Sequence, residues 1–381
     1  MQCGIYIHIP FCQQKCFYCD FPSFAGREHY MEDYTAALCQ EIRTQGSCYR
    51  QKWGAPATVY IGGGTPTALP GKLLGQVIRQ VVEVCLEKSP ATEFTVECNP
   101  GTVDAADLSL LRRQGVNRLS FGVQSFDDGL LRAIGRIHTG KEAVQAFQLA
   151  RAAGFDNISL DLMYGLPGQS LRQLQASVDQ ALALAPEHLS IYGLQLEEGT
   201  AFMKMQEQGR LQLPTDEETE QMYDYMTQIL PRHGYVRYEI SNFARPGFAS
   251  RHNLSYWQDV PYLGLGAAAH AYLDGQRWLH GSDIADYIEG IRAGRPVMIP
   301  EEVNSLSIAM EEFCFLALRT AAGISRSKFK ARFGRSLDSV YAEVIARMKG
   351  KGFLTESDAG VRLTELGMKY GNWVFEEFLI D

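Results

Sequence analysis

The chain of 381 residues has no run approaching the roughly 20 consecutive apolar residues that a membrane-crossing helix needs. It also lacks an excess of positive charge. Its 36 Lys and Arg face 44 Asp and Glu, a net charge of -8, which disfavours a nucleic-acid groove or an anionic membrane surface as the main partner. No low-complexity tract interrupts it, and 46% hydrophobic with 21% charged residues is the make-up of an ordinary folded chain rather than a disordered or fibrous one. No basic, apolar, small-residue leader precedes Cys3, and the nine cysteines are an odd number. A disulfide framework is therefore not expected, and the chain reads as cytoplasmic, with thiols used for metal or redox work. Six cysteines, Cys3, Cys39, Cys48, Cys85, Cys98 and Cys314, stand singly and read as small buried hydrophobes.

The other three stand together, and here too something is missing. Cys12, Cys16 and Cys19 follow one another at steps of four and three, and Phe21 occupies the place where a fourth could follow. Thiolates are soft ligands suited to zinc or iron-sulfur clusters. A structural zinc site wants four closed ligands, which His8 would complete. A four-iron cluster held by three cysteines has a different logic, because one iron keeps an open position for a substrate or cofactor.

Through the first two thirds of the chain, short apolar runs alternate with segments of helical periodicity, the pattern of stacked βα units. Strands are expected at Ile5–Ile9, Thr58–Ile61, Glu93–Glu97, Arg118–Gly122, Ile158–Met163 and Leu189–Leu194, with helices such as Met31–Arg43 and Leu73–Leu86 between them. Polar or Gly-rich chemistry recurs at their carboxyl ends: Gly62-Gly63-Gly64-Thr65-Pro66, Glu97-Cys98-Asn99-Pro100, Gln124-Ser125, and Asp161 ahead of Gly165-Leu166-Pro167. In a parallel βα barrel those ends converge on one face, where active sites lie. An α/β fold is therefore expected.

Beyond about residue 300 the pattern changes to three amphipathic helices, Leu306–Ala317, Ile324–Phe333 and Val340–Lys349. A hairpin follows, with Phe353–Thr355 and Val361–Leu363 flanking Asp358-Ala359-Gly360. This reads as a smaller α+β, winged-helix-like domain. Its 11 Lys and Arg against 12 Asp and Glu lack the footprint of a DNA binder, so packing or partner docking is expected of it. The expected division is a core over 1–235, a connecting segment over 236–300 and a carboxyl-terminal domain over 301–381.

With Tyr18 before its last cysteine, the thiol loop resembles that of the radical S-adenosylmethionine (SAM) superfamily. The resemblance implies a partial (β/α)6 barrel and a [4Fe-4S] cluster on Cys12, Cys16 and Cys19. The open iron would chelate the amino and carboxylate groups of SAM, and an electron from the reduced cluster would cleave the sulfonium to a 5'-deoxyadenosyl radical. Further segments match at closer range: Tyr6-Ile7-His8-Ile9-Pro10-Phe11-Cys12, Gly62 to Pro66, Gly122-Val123-Gln124-Ser125-Phe126, Gly135-Arg136 with His138, and Asp161 to Gly168. They resemble the oxygen-independent coproporphyrinogen III dehydrogenase branch together with its HemW-type heme chaperones. Carried onto matching positions, Tyr6 and Tyr18 would lie beside the cofactor, and Gly63, Gly64 and Thr65 would present backbone to its methionine end. Glu97 would pair with its ammonium and Arg136 with its carboxylate, while Gln124 and Asp161 would hold the ribose hydroxyls.

The chain departs from the dehydrogenase pattern at Phe21, where that pattern has a further cysteine, and in placing Cys12 near the amino terminus rather than behind a longer segment. It instead carries His252-Asn253-Leu254-Ser255-Tyr256-Trp257, which resembles the HNxxYW signature of the chaperones. A histidine can ligate heme iron, and Tyr and Trp offer flat apolar surface, although a histidine beside two aromatics also describes a satisfied core residue. His270, after the small-residue run Gly264–Ala269, is expected as a neighbour of the cofactor. The resemblance thus implies a heme chaperone that hands heme to recipient haemoproteins, leaving open whether these are membrane-associated, and the charge balance implies no nucleic-acid partner. It leaves open a homodimer and whether radical chemistry takes place. The alternative is the dehydrogenase itself, which decarboxylates coproporphyrinogen III propionates; a cluster-dependent DNA-binding regulator is disfavoured by the balanced charge of the last domain.

Overall fold

The computed structural model describes residues 3–86 and 92–380. Six parallel strands lie side by side in chain order: β1 (Gly4–Ile9), β2 (Thr58–Gly63), β3 (Glu93–Cys98), β4 (Arg118–Gln124), β5 (Ile158–Tyr164) and β6 (His188–Gly193). Each falls within one or two residues of its expected place. The connecting helices include Met31–Glu41, which passes through a π turn at Ile42–Gly46 into Ser47–Trp53, and Gly71–Val84.

The two-residue period of a strand sorts these side chains onto two faces. Ile5, Ile7 and Ile9, Val59 and Ile61, Phe94 and Val96, Leu119, Phe121 and Val123, Ile158, Leu160 and Leu162, and Leu189 and Ile191 are all buried in one large hydrophobic core. The alternate residues are polar or small: Tyr60, Glu97, Arg118, Ser120, Gly122, Gln124, Asp161, Ser190 and Tyr192 line a single cavity. Burying about 25 cal/mol per Å² of apolar surface on one face offsets the desolvation of polar groups gathered on the other.

The segment 236–300 is more than a connector. It supplies six further strands: β7 (Val236–Arg237), β8 (Asn242–Ala244), β9 (Tyr262–Leu265), β10 (His270–Leu273), β11 (Gln276–His280) and β12 (Met298–Pro300). β8 pairs antiparallel with β6, while β9 runs parallel beside β1 and β10 to β12 continue antiparallel beyond it. The result is one open twelve-stranded sheet. Its outer strands are two to five residues long with mixed sequence, which is why no apolar run marks them.

Residues from 306 onward build a second core around Phe313, Phe329, Tyr341, Met348 and Phe378. Here the expected helix at Ile324–Phe333 begins instead as a strand, β13 (Ile324–Ser325). Ile324 pairs with Val361, and the Ser325 hydroxyl then caps the helix Arg326–Phe333 by accepting from the Lys328 N–H. With β14 (Leu354–Glu356) and β15 (Gly360–Leu363) it forms a small antiparallel sheet against the helices Leu306–Leu318 and Asp338–Gly350. Among the described residues no helix is long and apolar enough to cross a membrane.

Candidate functional site at the carboxyl ends of the barrel strands

The cysteine loop is pinned at its base and at its tip. At the base, the Phe24 N–H donates to Pro10 O (2.8 Å) and the Cys12 N–H to Phe24 O (3.0 Å). Lys15 Nζ straps the loop from inside, donating to Phe21 O (2.7 Å) and Ser23 O (3.3 Å). At the tip, the Phe17 N–H donates to Ile134 O and Phe17 O accepts from the Phe202 N–H, while the Phe17 ring joins a small apolar cluster with Leu130, Ile134, Leu166 and Phe202. A loop held this way presents Cys12, Cys16 and Cys19, all partly accessible, to the cavity.

That cavity has a volume of ≈ 440 Å³ and takes lining residues from all six barrel strands or the loops after them. The three cysteines, Tyr18, Gly63, Gly64, Thr65, Glu97, Gln124, Arg136 and Asp161 all line it. Gly63 has φ +109°, and a Cβ there would strike the His8 ring at 2.6 Å; a Cβ on Gly64 would meet Phe11 O at 2.7 Å and Cys12 Sγ at 3.1 Å. Only glycine fits at both positions. Gln124 has φ 66° at a register shift between Gly122 and Gln124, and such a bulge turns a side chain toward a site.

Glu97 accepts from Tyr60 Oη (2.6 Å) and the Gly63 N–H (3.2 Å). Burial pushes its carboxyl up to about 7 against the pull of those donors. Asp161 accepts from Ser120 Oγ and Ser159 Oγ at 3.2 Å, and burial raises it too. Arg136 donates to Gly122 O and toward Cys16 Sγ (3.6 Å), yet its buried Nε finds no partner. The Tyr18 phenol is raised by burial, with Arg136 opposing and the neighbouring thiols adding.

Three expected contributors lie elsewhere. Tyr6 stands one layer behind the cavity, its hydroxyl on His8 Nδ1 (2.9 Å) and its ring stacked on Tyr60. His270 is at the surface, its side chain 62% exposed and paired with Glu301 at 3.2 Å. His252 is 1% exposed, with Nδ1 against Thr58 Oγ1 and Nε2 against Tyr256 Oη, both at 2.8 Å, and its ring stacked on Tyr60. Burial lowers its pKa to about 3, and the charge of Arg118 adds to that. With both ring nitrogens engaged, His252 has no lone pair for iron, and the expected heme-ligand role does not fit this geometry. His8 is likewise committed, to Tyr6 and to Pro22 O (2.8 Å), so it cannot serve as a fourth zinc ligand.

The HNxxYW segment does reach the cavity, through Asn253. Its helix Arg251–Trp257 is held from the barrel by Glu93, which accepts from the Arg251 and His252 N–H groups at 3.0 Å. At the far end the Arg319 guanidinium lies 4.3 Å over the Trp257 ring, which ties the helix to the carboxyl-terminal domain. Asn253, Tyr60, Arg118, Ser120, Ser190 and Tyr192 escaped the sequence reading. A signal existed for Arg118 and Ser120, which stand four and two residues before Gly122 on β4, whereas Tyr60 on β2 and Ser190 and Tyr192 on β6 are aligned with Thr95, Asp161 and Met163 only by the pairing of neighbouring strands.

Two family models match the chain, the radical SAM superfamily over residues 6–181 and the HemN C-terminal domain over residues 305–370. The heme chaperone HemW of Bacillus subtilis is 42% identical over 377 residues, 98% of each chain. That of Escherichia coli is 35% identical over 382 residues, 99% of this chain and 98% of the relative. The solved structure of coproporphyrinogen III oxidase (HemN) from Escherichia coli, described as a radical SAM enzyme, has a TM-score of 0.84 at 21% identity, covering 99% of this chain and 90% of that one. At that identity it shows a shared fold. By its identity to these relatives along nearly their whole length, the chain belongs to the HemW family of the radical SAM superfamily.

Proposed function

We propose that the protein is a heme chaperone that takes up heme and passes it to recipient haemoproteins, acting in the cytoplasm and on membrane-associated recipients, with a [4Fe-4S] cluster and SAM resident in the barrel. The observation that carries this reading is the end-to-end similarity to relatives named heme chaperones. The residues present fit the two resident groups: three thiols on one strapped loop, two glycines on the cavity wall where a Cβ would strike His8 or the Phe11 carbonyl, and an unsatisfied Arg136 Nε at the same wall. Cys12, Cys16 and Cys19 would hold three irons. The backbone of Gly63 to Thr65, with Glu97, Gln124, Arg136, Asp161 and Tyr18, would hold SAM. When bound, these groups supply one-electron reductive chemistry at a sulfonium. The chain's own part is to accept an ammonium at Glu97, to donate to a carboxylate from Arg136, and to keep the loop closed through Lys15. Heme is the cargo, and Phe21, 60% exposed, shares the cavity wall with Tyr192 as an accessible aromatic rim.

The fold likeness to coproporphyrinogen III oxidase favours one other reading, oxidation of that porphyrinogen. Cluster-loaded protein, held without oxygen, is to be titrated with heme and separately given SAM, a reductant and coproporphyrinogen III. The expected result is stoichiometric heme uptake and no porphyrinogen product; multiple turnovers to protoporphyrinogen would overturn the proposal. In the same titration His252→Gln is expected to keep both the midpoint and the heme absorption band of the unaltered protein, because its ring nitrogens serve Thr58 and Tyr256. A shifted band would return His252 to the heme site.

A further inference from the structure

Arg118 is the first residue of β4 and points into the barrel interior, where it is 1% exposed and lines the cavity. A guanidinium so deeply buried is normally held by carboxylates in paired hydrogen bonds. Here Nε has no partner at all, and the two acids that its charge acts on are anchored by other donors, Glu97 by Tyr60 and Gly63, Asp161 by Ser120 and Ser159. Register explains the arrangement. Arg118 stands opposite Thr95, one inward step below Glu97 on β3, and Ser120, the next inward residue of β4, stands opposite Ser159, one step below Asp161 on β5. The charge therefore lies beneath both acids without occupying them.

We propose that Arg118 is a positioning residue for SAM: a fixed positive charge that favours the ionised forms of Glu97 and Asp161 while leaving their cavity-side lone pairs free to accept from the ligand's ammonium and ribose hydroxyls. An arginine bonded to either carboxylate would consume the acceptor that the ligand needs. With no cation there, burial and the mutual repulsion of the two acids would drive them toward protonation. The groups acting on Glu97 are Tyr6 on β1, Tyr60 on β2, Cys98 on its own strand, Asp161 on β5 and Tyr256 on the helix below, besides Arg118. Arg118 is the one cation among them within the described residues. Burial of Glu97 opposes its ionisation, and Arg118 supports it.

The inference rests on reading the cavity as the SAM site, and its test separates the two. Equilibrium dialysis of cluster-loaded protein against labelled SAM is to be run anaerobically from about pH 6 to about pH 9 for the unaltered chain, Arg118→Gln, Arg118→Lys and Glu97→Gln. For the unaltered chain, affinity should fall as pH drops through about 7 and Glu97 takes up a proton. In Arg118→Gln that fall should move upward by about one pH unit, giving about fivefold weaker binding at neutral pH and recovery in alkali. Arg118→Lys should restore the original midpoint, and Glu97→Gln should bind weakly with the acid limb gone. An unmoved midpoint in Arg118→Gln, or a loss of affinity equal at every pH, overturns the role. If Arg118→Gln does not fold, an acid limb that persists in Glu97→Gln overturns it equally. Failure of the unaltered chain to bind SAM at any pH would sink the underlying reading of the cavity instead.

Discussion

Cys16→Ser is expected to lower the iron retained after anaerobic reconstitution from about four atoms per chain to well under one and to remove the visible sulfur-to-iron absorption, while Cys48→Ser should leave both intact. The contrast follows from placement. Cys16 sits on the strapped loop, partly accessible and facing the cavity, whereas Cys48 is an exposed single thiol on the helix Ser47–Trp53. A serine hydroxyl is a poor substitute for a soft thiolate, and only two thiols would be left on a loop whose base and tip are fixed by backbone hydrogen bonds. Arg136, with Nη1 directed at Cys16 Sγ, would lose its anionic neighbour as well. Iron and acid-labile sulfide assays decide the matter. Full loading of Cys16→Ser would mean that the cluster is held by other residues.

The second large effect lies far from the cavity. Glu41→Ala should lower unfolding free energy by about 3–5 kcal/mol in a denaturant titration, because it strands a buried polar cluster. Glu41 is 1% exposed and accepts from His280 Nε2 (2.6 Å), Tyr287 Oη (2.7 Å) and the Gly266 N–H (2.9 Å). His280 Nδ1 faces Ala269 O at 3.0 Å, so the ring is held at both nitrogens. The cluster bolts the helix Met31–Glu41 to the turn after β9, to β11 and to the helix Ile284–Arg292. Removing the acid leaves three donors unsatisfied inside the core. Pairing Glu41→Leu with His280→Leu should recover part of the loss, since an apolar pair needs no compensation. A loss under about 1 kcal/mol for Glu41→Ala would show that water reaches the cluster.

The same reasoning shows how far the chain could be read without coordinates. Local pattern located the six barrel strands, because a strand buried on one face and polar on the other carries its period in about six consecutive residues. The thiol loop was legible because its ligands are neighbours along the chain. So were the Gly-rich turn and the inward-facing Glu97 and Asp161, since each carries its signal within a few residues. β7 to β12 were not, because short strands of mixed sequence are specified by the edge they join rather than by their own period.

The amino-acid sequence by itself determined which donors exist and in what local spacing: the thiol trio, the glycines that admit backbone, and the acids and arginines at strand ends. The tertiary structure alone decided which donors are free. It engaged both nitrogens of His252 with Thr58 and Tyr256, moved His270 to the surface, brought Asn253 to the cavity and left Arg118 without a hydrogen-bonded acid. The reason is physical: a side chain's chemistry is a property of its residue, but whether its lone pairs and protons are already spoken for depends on partners that are often more than a hundred residues away in the chain, as Thr58 is from His252.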